Sequence, residues 1–131
     1  MTPHGHFHWN ELMTRDVAAA QKLYGDAMGW TFEAMPMPDG TTYHLCKVGE
    51  DYVAGMFDIA GNPQFEQMPA AWMAYLAVDD VDARLEQAKA AGAIAMGEPF
   101  DVQGVGRIAM VQQPDGAMVG WMTPSNEPMD M

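Results

Sequence analysis

The same order of structural signals is written twice along this chain, and that repetition restricts its fold more than any other feature. From Phe7 the segment FHWNELMT has the length of a strand. In RDVAAAQKLYGDAMGW, Asp16 is placed as an N-cap, and Val17, Ala20, Leu23, Tyr24 and Met28 fall at helical spacing. Gly29 stands where that helix should end. WTFEAM (Trp30 to Met35) then reads as a strand, and MPMPDGT as a turn with Asp39-Gly40 at its tip. TTYHLCKVG and DYVAGMFDI supply two more strands, separated by Gly49 and Glu50. The order is β-α-β-β-β.

After a stretch with Pro63 and Pro69 and no sustained period, AGNPQFEQMPAA, the pattern restarts. WMAYLAV is a strand. DDVDARLEQAKAAG is a helix with Asp79 or Asp80 as its cap and Gly92 at its end. AIAMGEPF, GRIAMVQQ and GAMVGWMT read as three further strands, the last two joined through Pro114-Asp115-Gly116. Setting Asp16 against Asp80 brings Leu12 onto Leu76 and Val17 onto Val81. A period of about half the chain indicates two structural copies of one motif. The 131 residues are enough for one domain with one core. The expected organisation is a single domain, 1–131, with module one over 7–59, a linker over 60–71 and module two over 72–124. The terminal PSNEPMDM is expected to be a frayed tail.

Composition removes several function classes. Lys plus Arg is 6 against 18 for Asp plus Glu, a net charge of -12, so phosphate backbones and anionic membranes are poor partners. Hydrophobic content of 49% suits a soluble globular chain, and no apolar run has the length of a membrane span. MTPHGHFHW lacks the basic and apolar parts of a secretory signal, so a cytoplasmic location is expected. Cys46 is the single cysteine, which rules out an intrachain disulfide and a cysteine-based zinc cluster. No phosphate-binding glycine loop or GxSxG elbow occurs, and Ser125 is the only serine.

The stretch HGHFHWNEL sets three histidines beside Glu11, all metal-ligand types. In a strand, Trp9, Glu11 and Met13 share one face, while His4, His6, His8 and Asn10 share the other. Taking the Trp9 face as the inward one leaves the three histidines in structural or surface roles, with incidental metal capture as the other use. A slip of one residue would exchange the faces and bring His8 inward.

The segments ELMTRDVAAAQKLYGDAMGW, VDDVDARLEQAKAAGA and GRIAMVQQPDGAMVGW, in this order and spacing, resemble the vicinal oxygen chelate superfamily of glyoxalase I, bleomycin-resistance proteins and extradiol dioxygenases. The likeness covers about Phe7 to Pro124 and is nearest to a glyoxalase-like subgroup without an assigned reaction. It implies an α+β fold of two βαβββ modules, each curling its sheet around half of a central cavity. In the metal-dependent members, ligands stand on each module's first strand, seven residues before the capping acid, and near the end of its last strand. Those positions carry onto Trp9, Met73, Gly55 or Met56, and Gly120. Indole, thioether and bare backbone are poor ligands for a hard cation, so no metal and no cofactor are expected. Gln113 also departs from the acid that relatives place before the Pro-x-Gly turn.

On this reading the cavity is lined by Trp9, Glu11, Met13, Met73 and Tyr75, with Met56 and one of Tyr43 or His44, and with Gly120 leaving space at the far wall. An aromatic, thioether-rich lining suits a small apolar guest, and the chain's 14 methionines could equally be core filling. Glu11, a carboxylate on an apolar face, needs a partner; desolvation would raise its pKa and fit it to act as general base or ligand anchor. Arg107 could pair with Glu11 or with a ligand carboxylate, or form a structural ion pair. His44 could serve as acid or base, or as a satisfied core histidine. Cys46, without a basic neighbour closer than Lys47, reads as an inert buried thiol.

The expected function is therefore a binding protein for a small hydrophobic or aromatic metabolite, without catalytic metal, acting as a homodimer as superfamily members often do. The alternative is a lyase or dioxygenase-type enzyme, metal-dependent or using Glu11 as base.

Overall fold

Hydrogen bonds at the two helix starts show how local sequence sets the elements. In a computed structural model, which describes residues 2–37, 40–102 and 105–125, the Asp16 carboxylate accepts from the Ala19 N–H at 3.0 Å. This cap opens α1 (Val17–Met28), and Gly29, at φ 74°, closes it. Asp80 does the same for α2 (Val81–Ala90), accepting from the Ala83 N–H at 3.2 Å. A second oxygen serves this helix start: the buried Val81 donates its N–H to Thr123 Oγ1 at 2.9 Å.

The strands are β1 (Phe7–Thr14), β2 (Thr31–Pro36), β3 (Thr42–Val48), β4 (Asp51–Asp58), β5 (Ala71–Ala77), β6 (Ile94–Ala95), β7 (Phe100–Val102), β8 (Gly106–Gln112) and β9 (Met118–Pro124). The fold is α+β, with β-α-β-β-β in the first unit and the same order in the second, where one of the strands after the helix is divided. One expectation is corrected: AIAMGEPF is not one strand but two. Gly97, at φ 91°, breaks it, and the pairing with β8 shifts from Ala95↔Val111 to Phe100↔Ile108. Asp39 of the expected turn tip, and Asn126 to Met131 of the tail, lie outside the described residues.

Chain contacts separate two units, one over Asn10–Trp72 and the other formed by the residues before Asn10 with those from Met73 onward. In the first unit the strand order is β2-β3-β4-β1, with β1 and β4 parallel and the others antiparallel. In the second the order is β5-β9-β8-β6, with β7 also on β8. The N-terminal residues join this unit because Gly5 donates to the Ala77 carbonyl at 2.7 Å and Ala77 donates to that of His6 at 2.8 Å.

Each unit packs its helix on one face of its own sheet. In the first, Leu12, Cys46, Ala54 and Met56 form the core, against Val17, Ala20 and Tyr24 of α1. In the second, Val81 and Leu85 of α2 pack with Ala109, Val111 and Val119. Burying one such aliphatic or thioether side chain contributes about 1.5–3 kcal/mol. Tyr24 stacks on Trp30 with ring centroids 4.8 Å apart, and the Trp72 indole donates to Tyr24 Oη at 3.0 Å. The aperiodic linker is held by Arg15, whose guanidinium donates to the carbonyls of Phe65 at 2.9 Å and Met68 at 2.7 Å. No described helix is long and apolar enough to cross a membrane.

Candidate functional site

The face of each sheet away from its helix collects most of the side chains expected to act. In the first unit the cross-strand register sets Glu11, Gly55, Leu45 and Glu33 in one row, since Glu11 pairs Gly55, Gly55 pairs Leu45 and Leu45 pairs Glu33. Glu11 alternates with Leu12, which lies in the helix-side core, so Glu11 and Met13 point the other way. Met13 is buried and Glu11 half-buried. A Cβ at Gly55 would fall within the phenol of Tyr43, so Tyr43 covers this glycine.

Two expected lining residues belong elsewhere. Met56 pairs with Leu12 and His44, and all three lie on the helix side. Met56 is fully buried in that core, and the His44 ring nitrogen sits 3.5 Å from the Gln21 amide nitrogen of α1. Of the pair Tyr43 and His44, it is Tyr43 that shares the face of Glu11.

At the edge of this face lies a cluster that sequence reasoning missed. Lys47 Nζ is 2.9 Å from Glu33 Oε2, and Tyr52 Oη donates to the same oxygen at 3.0 Å. These two donors hold the Glu33 carboxyl below its ordinary range, and Glu33 in turn raises Lys47 and Tyr52. Glu33 and Lys47 share a face through the regular β2–β3 register, and a register shift against β4 between Cys46 and Lys47 brings Tyr52 to them, which no periodicity reveals.

In the second unit, Tyr75, Gly120 and Met110 form the equivalent row. Tyr75 thus stands where the repeat puts Glu11, and Gly120 where it puts Gly55. Met73, Tyr75, Met110 and Met122 are all buried. Gly120 does not leave open space: a Cβ there would lie 2.5 Å from Tyr75 Cε2, because the tyrosine ring fills the wall. Trp9 is half-buried. Arg107 is on the helix side, donating through Nε to Asp82 at 2.9 Å and through Nη1 to Asp101 at 3.0 Å. It ties α2, β7 and β8 together and does not pair with Glu11.

The histidines have separate surroundings. His4 Nδ1 accepts the Asp79 N–H at 3.0 Å, His6 is exposed, and His8 Nδ1 lies 2.6 Å from Thr2 Oγ1. Burial lowers the His8 pKa below its ordinary value. Burial also pushes the Cys46 thiol up to about 11, the opposite of what a nucleophile needs. Among the described residues, no three or more His, Cys, Asp or Glu side chains come together as a metal site. The positions the family resemblance assigns to ligands hold a half-buried indole, a buried thioether and glycines under tyrosine rings, a set that does not fit a hard divalent cation.

A duplicated βαβββ chain with apolar, tyrosine-lined sheet faces opposite its helices defines the class of protein. A family model described as the Glyoxalase/Bleomycin resistance protein/Dioxygenase superfamily matches residues 6–120, and the chain belongs to that superfamily. It is 35% identical over 117 residues to "Putative glyoxylase CFP32" of Mycobacterium bovis, covering 89% of this chain and 43% of that protein. It is 33% identical over 120 residues to the anthracycline biosynthesis protein DnrV of Streptomyces peucetius, covering 83% and 43%. The chain thus spans less than half the length of these relatives. The crystal structure of methylmalonyl-CoA epimerase from Mycobacterium tuberculosis shares the fold, with a TM-score of 0.62 at 16% identity over 95% of this chain and 93% of the epimerase.

Proposed function

We propose that this protein binds a small hydrophobic or aromatic metabolite on the helix-free faces of its sheets, without a catalytic metal. The observation that carries this reading is the make-up of those faces. Met13, Tyr43 and Leu45 surround the single row of carboxylates Glu11 and Glu33 in one unit, and Met73, Tyr75, Met110 and Met122 line the other. Thioethers and phenols adapt to flat apolar guests, and Glu11 supplies a polar anchor. The relatives named for anthracycline biosynthesis support a metabolite rather than a macromolecule as the ligand. The net charge of -12 weighs against nucleic acid and anionic membranes and accords with a cytoplasmic binder.

A thermal-shift screen of aromatic metabolites, followed by titration of Glu11→Gln, tests this reading. A hit weakened by Glu11→Gln supports it; hits untouched by Glu11→Gln, or none at all, sink it. Elemental analysis of protein purified without a histidine tag should show less than about 0.1 equivalent of Zn, Ni, Fe or Mn. Stoichiometric metal would favour the enzyme reading, a lyase or dioxygenase-type reaction like those the superfamily's name covers. A metal-free enzyme using Glu11 as base would instead keep binding and lose turnover in Glu11→Gln. The active form we propose is a homodimer, for which sedimentation equilibrium should give twice the 14.4 kDa of one chain.

A further inference from the structure

Two helices that the repeat makes equivalent differ on their outer sides. Setting Asp16 against Asp80 places Leu23 of α1 on Gln87 of α2, and Met28 on Gly92. Leu23 is 58% exposed and Met28 63%, whereas α2 shows solvent no large apolar side chain. The fold does not demand these exposed groups, because the same element does without them in the second unit.

By helical spacing Leu23, Ala27, Ala20, Tyr24 and Met28 form one apolar arc on α1. The core of the sheet takes up the part of it that holds Ala20 and Tyr24, together with Val17. Leu23 and Ala27, on one margin, and Met28, at the helix end, stay in solvent. Trp72 extends this uncovered part: its indole stands perpendicular to the Tyr24 ring, with centroids 5.6 Å apart, and is itself 41% exposed. Exposed apolar groups gathered in one place mark an interaction surface.

The charges beside the arc point to what covers it. Lys22 and Asp26, one turn apart and 2.8 Å from each other, are the only charged side chains of α1. They flank Leu23 on the side away from Tyr24. A rim with one charge of each sign offers no net attraction to a strongly acidic or basic partner, and a chain of net charge -12 repels anionic membranes. This rim does complement itself. A second α1 laid antiparallel on the first, about a two-fold axis near Leu23 and Tyr24, reverses the order of the charges. Each Lys22 then comes level with Asp26 of the second copy, and each Leu23 meets the second copy's apolar arc. A two-fold contact requires such a self-complementary patch. We infer that the outer margin of α1, centred on Leu23 and extended by Met28 and Trp72, is the contact between two copies of this chain. The inference rests on the homodimer proposed above and names the surface that forms it.

Sedimentation velocity of the full chain over a range of concentrations tests the surface. Leu23→Gln installs the residue that α2 carries at this place, so the helix should keep its stability. The dimer's dissociation constant should nevertheless rise about ten-fold or more. Ile94→Gln with Phe100→Gln, on the exposed apolar stretch of β6 and β7, should leave it unchanged. Lys22→Glu makes the rim of α1 wholly acidic, and Asp26→Lys makes it wholly basic. Each alone should weaken its own dimer about ten-fold, because like charges then meet. Asp26→Lys takes the net charge from -12 to -10, so a general charge effect would strengthen its dimer instead. Mixing the two variants should restore association as a one-to-one pair, which loss of the Lys22–Asp26 pair within each helix cannot produce. A wild-type chain that sediments as a monomer throughout overturns the homodimer and this surface with it. A dimer indifferent to Leu23→Gln, one broken by the β6 and β7 substitutions, or charge variants that fail to recover on mixing leave the homodimer standing and overturn its assignment to α1.

Discussion

Two glycines under two tyrosines show how single residues set the shape of these sheets. At Gly120 an added methyl would meet Tyr75 near the base of its ring, with Cγ 2.9 Å away, where the side chain cannot swing clear without leaving its strand position. At Gly55 the collision is with the far end of Tyr43, which can rotate aside. Gly120→Ala should therefore cost about 1–3 kcal/mol and Gly55→Ala distinctly less, measured by urea denaturation. Equal costs would mean that Tyr75 moves as freely as Tyr43. His8 gives a pH dependence. Its folded pKa is depressed below 6.5 by burial, so as pH falls through 6.5 the unfolded chain takes up a proton that the folded one resists. Stability from this group falls as the solution is acidified through that value, and the loss levels off below the folded pKa. His8→Gln should flatten the acid side of a melting curve measured from pH 7.5 to 5; an unchanged slope would rule His8 out.

At the scale of elements, what was legible depended on the reach of the signal. Asp16 could be read as a cap, and Asp80 as one of two candidates with Asp79, because a cap acts on an N–H only three residues away. β1 could be read over Phe7–Thr14 because its length and alternation are local. Which face Met56 and Arg107 occupy was not legible, because apolar or long side chains suit either side and the answer depends on pairing with distant strands. Thr123 is of the same kind: nothing local marks it as a second cap for α2, yet it holds the N–H of Val81. Thr123→Val keeps the shape and strands that donor, so it should cost about 1–3 kcal/mol. Asp80→Ala should cost about 1 kcal/mol, its site being exposed and open to water. If Thr123→Val proves neutral in denaturation, the helix start is not held from β9.

For the whole molecule the governing quantity is charge. All six cationic side chains are engaged: Arg15 with carbonyls, and Lys22, Lys47, Arg84, Lys89 and Arg107 with carboxylates. Eighteen acidic groups outnumber them three to one, so repulsion among carboxylates must work against the folded state at low ionic strength. Salt acts on both sides of this balance. It weakens the ion pairs, but exposed pairs such as Lys22–Asp26 contribute only about 0–1 kcal/mol each. It also screens the repulsion, which sums over many pairs and reaches across the roughly 30 Å Debye length at about 0.01 M salt, shrinking to roughly 8 Å at about 0.15 M. The repulsive sum is the larger, so the melting temperature should rise by a few degrees over that range. Sodium chloride is the right agent, because at these concentrations it screens charge without the surface exclusion that sulfate adds. A melting temperature that falls with sodium chloride would show that the few ion pairs, Arg107 with Asp82 and Asp101 foremost, outweigh the excess of carboxylates.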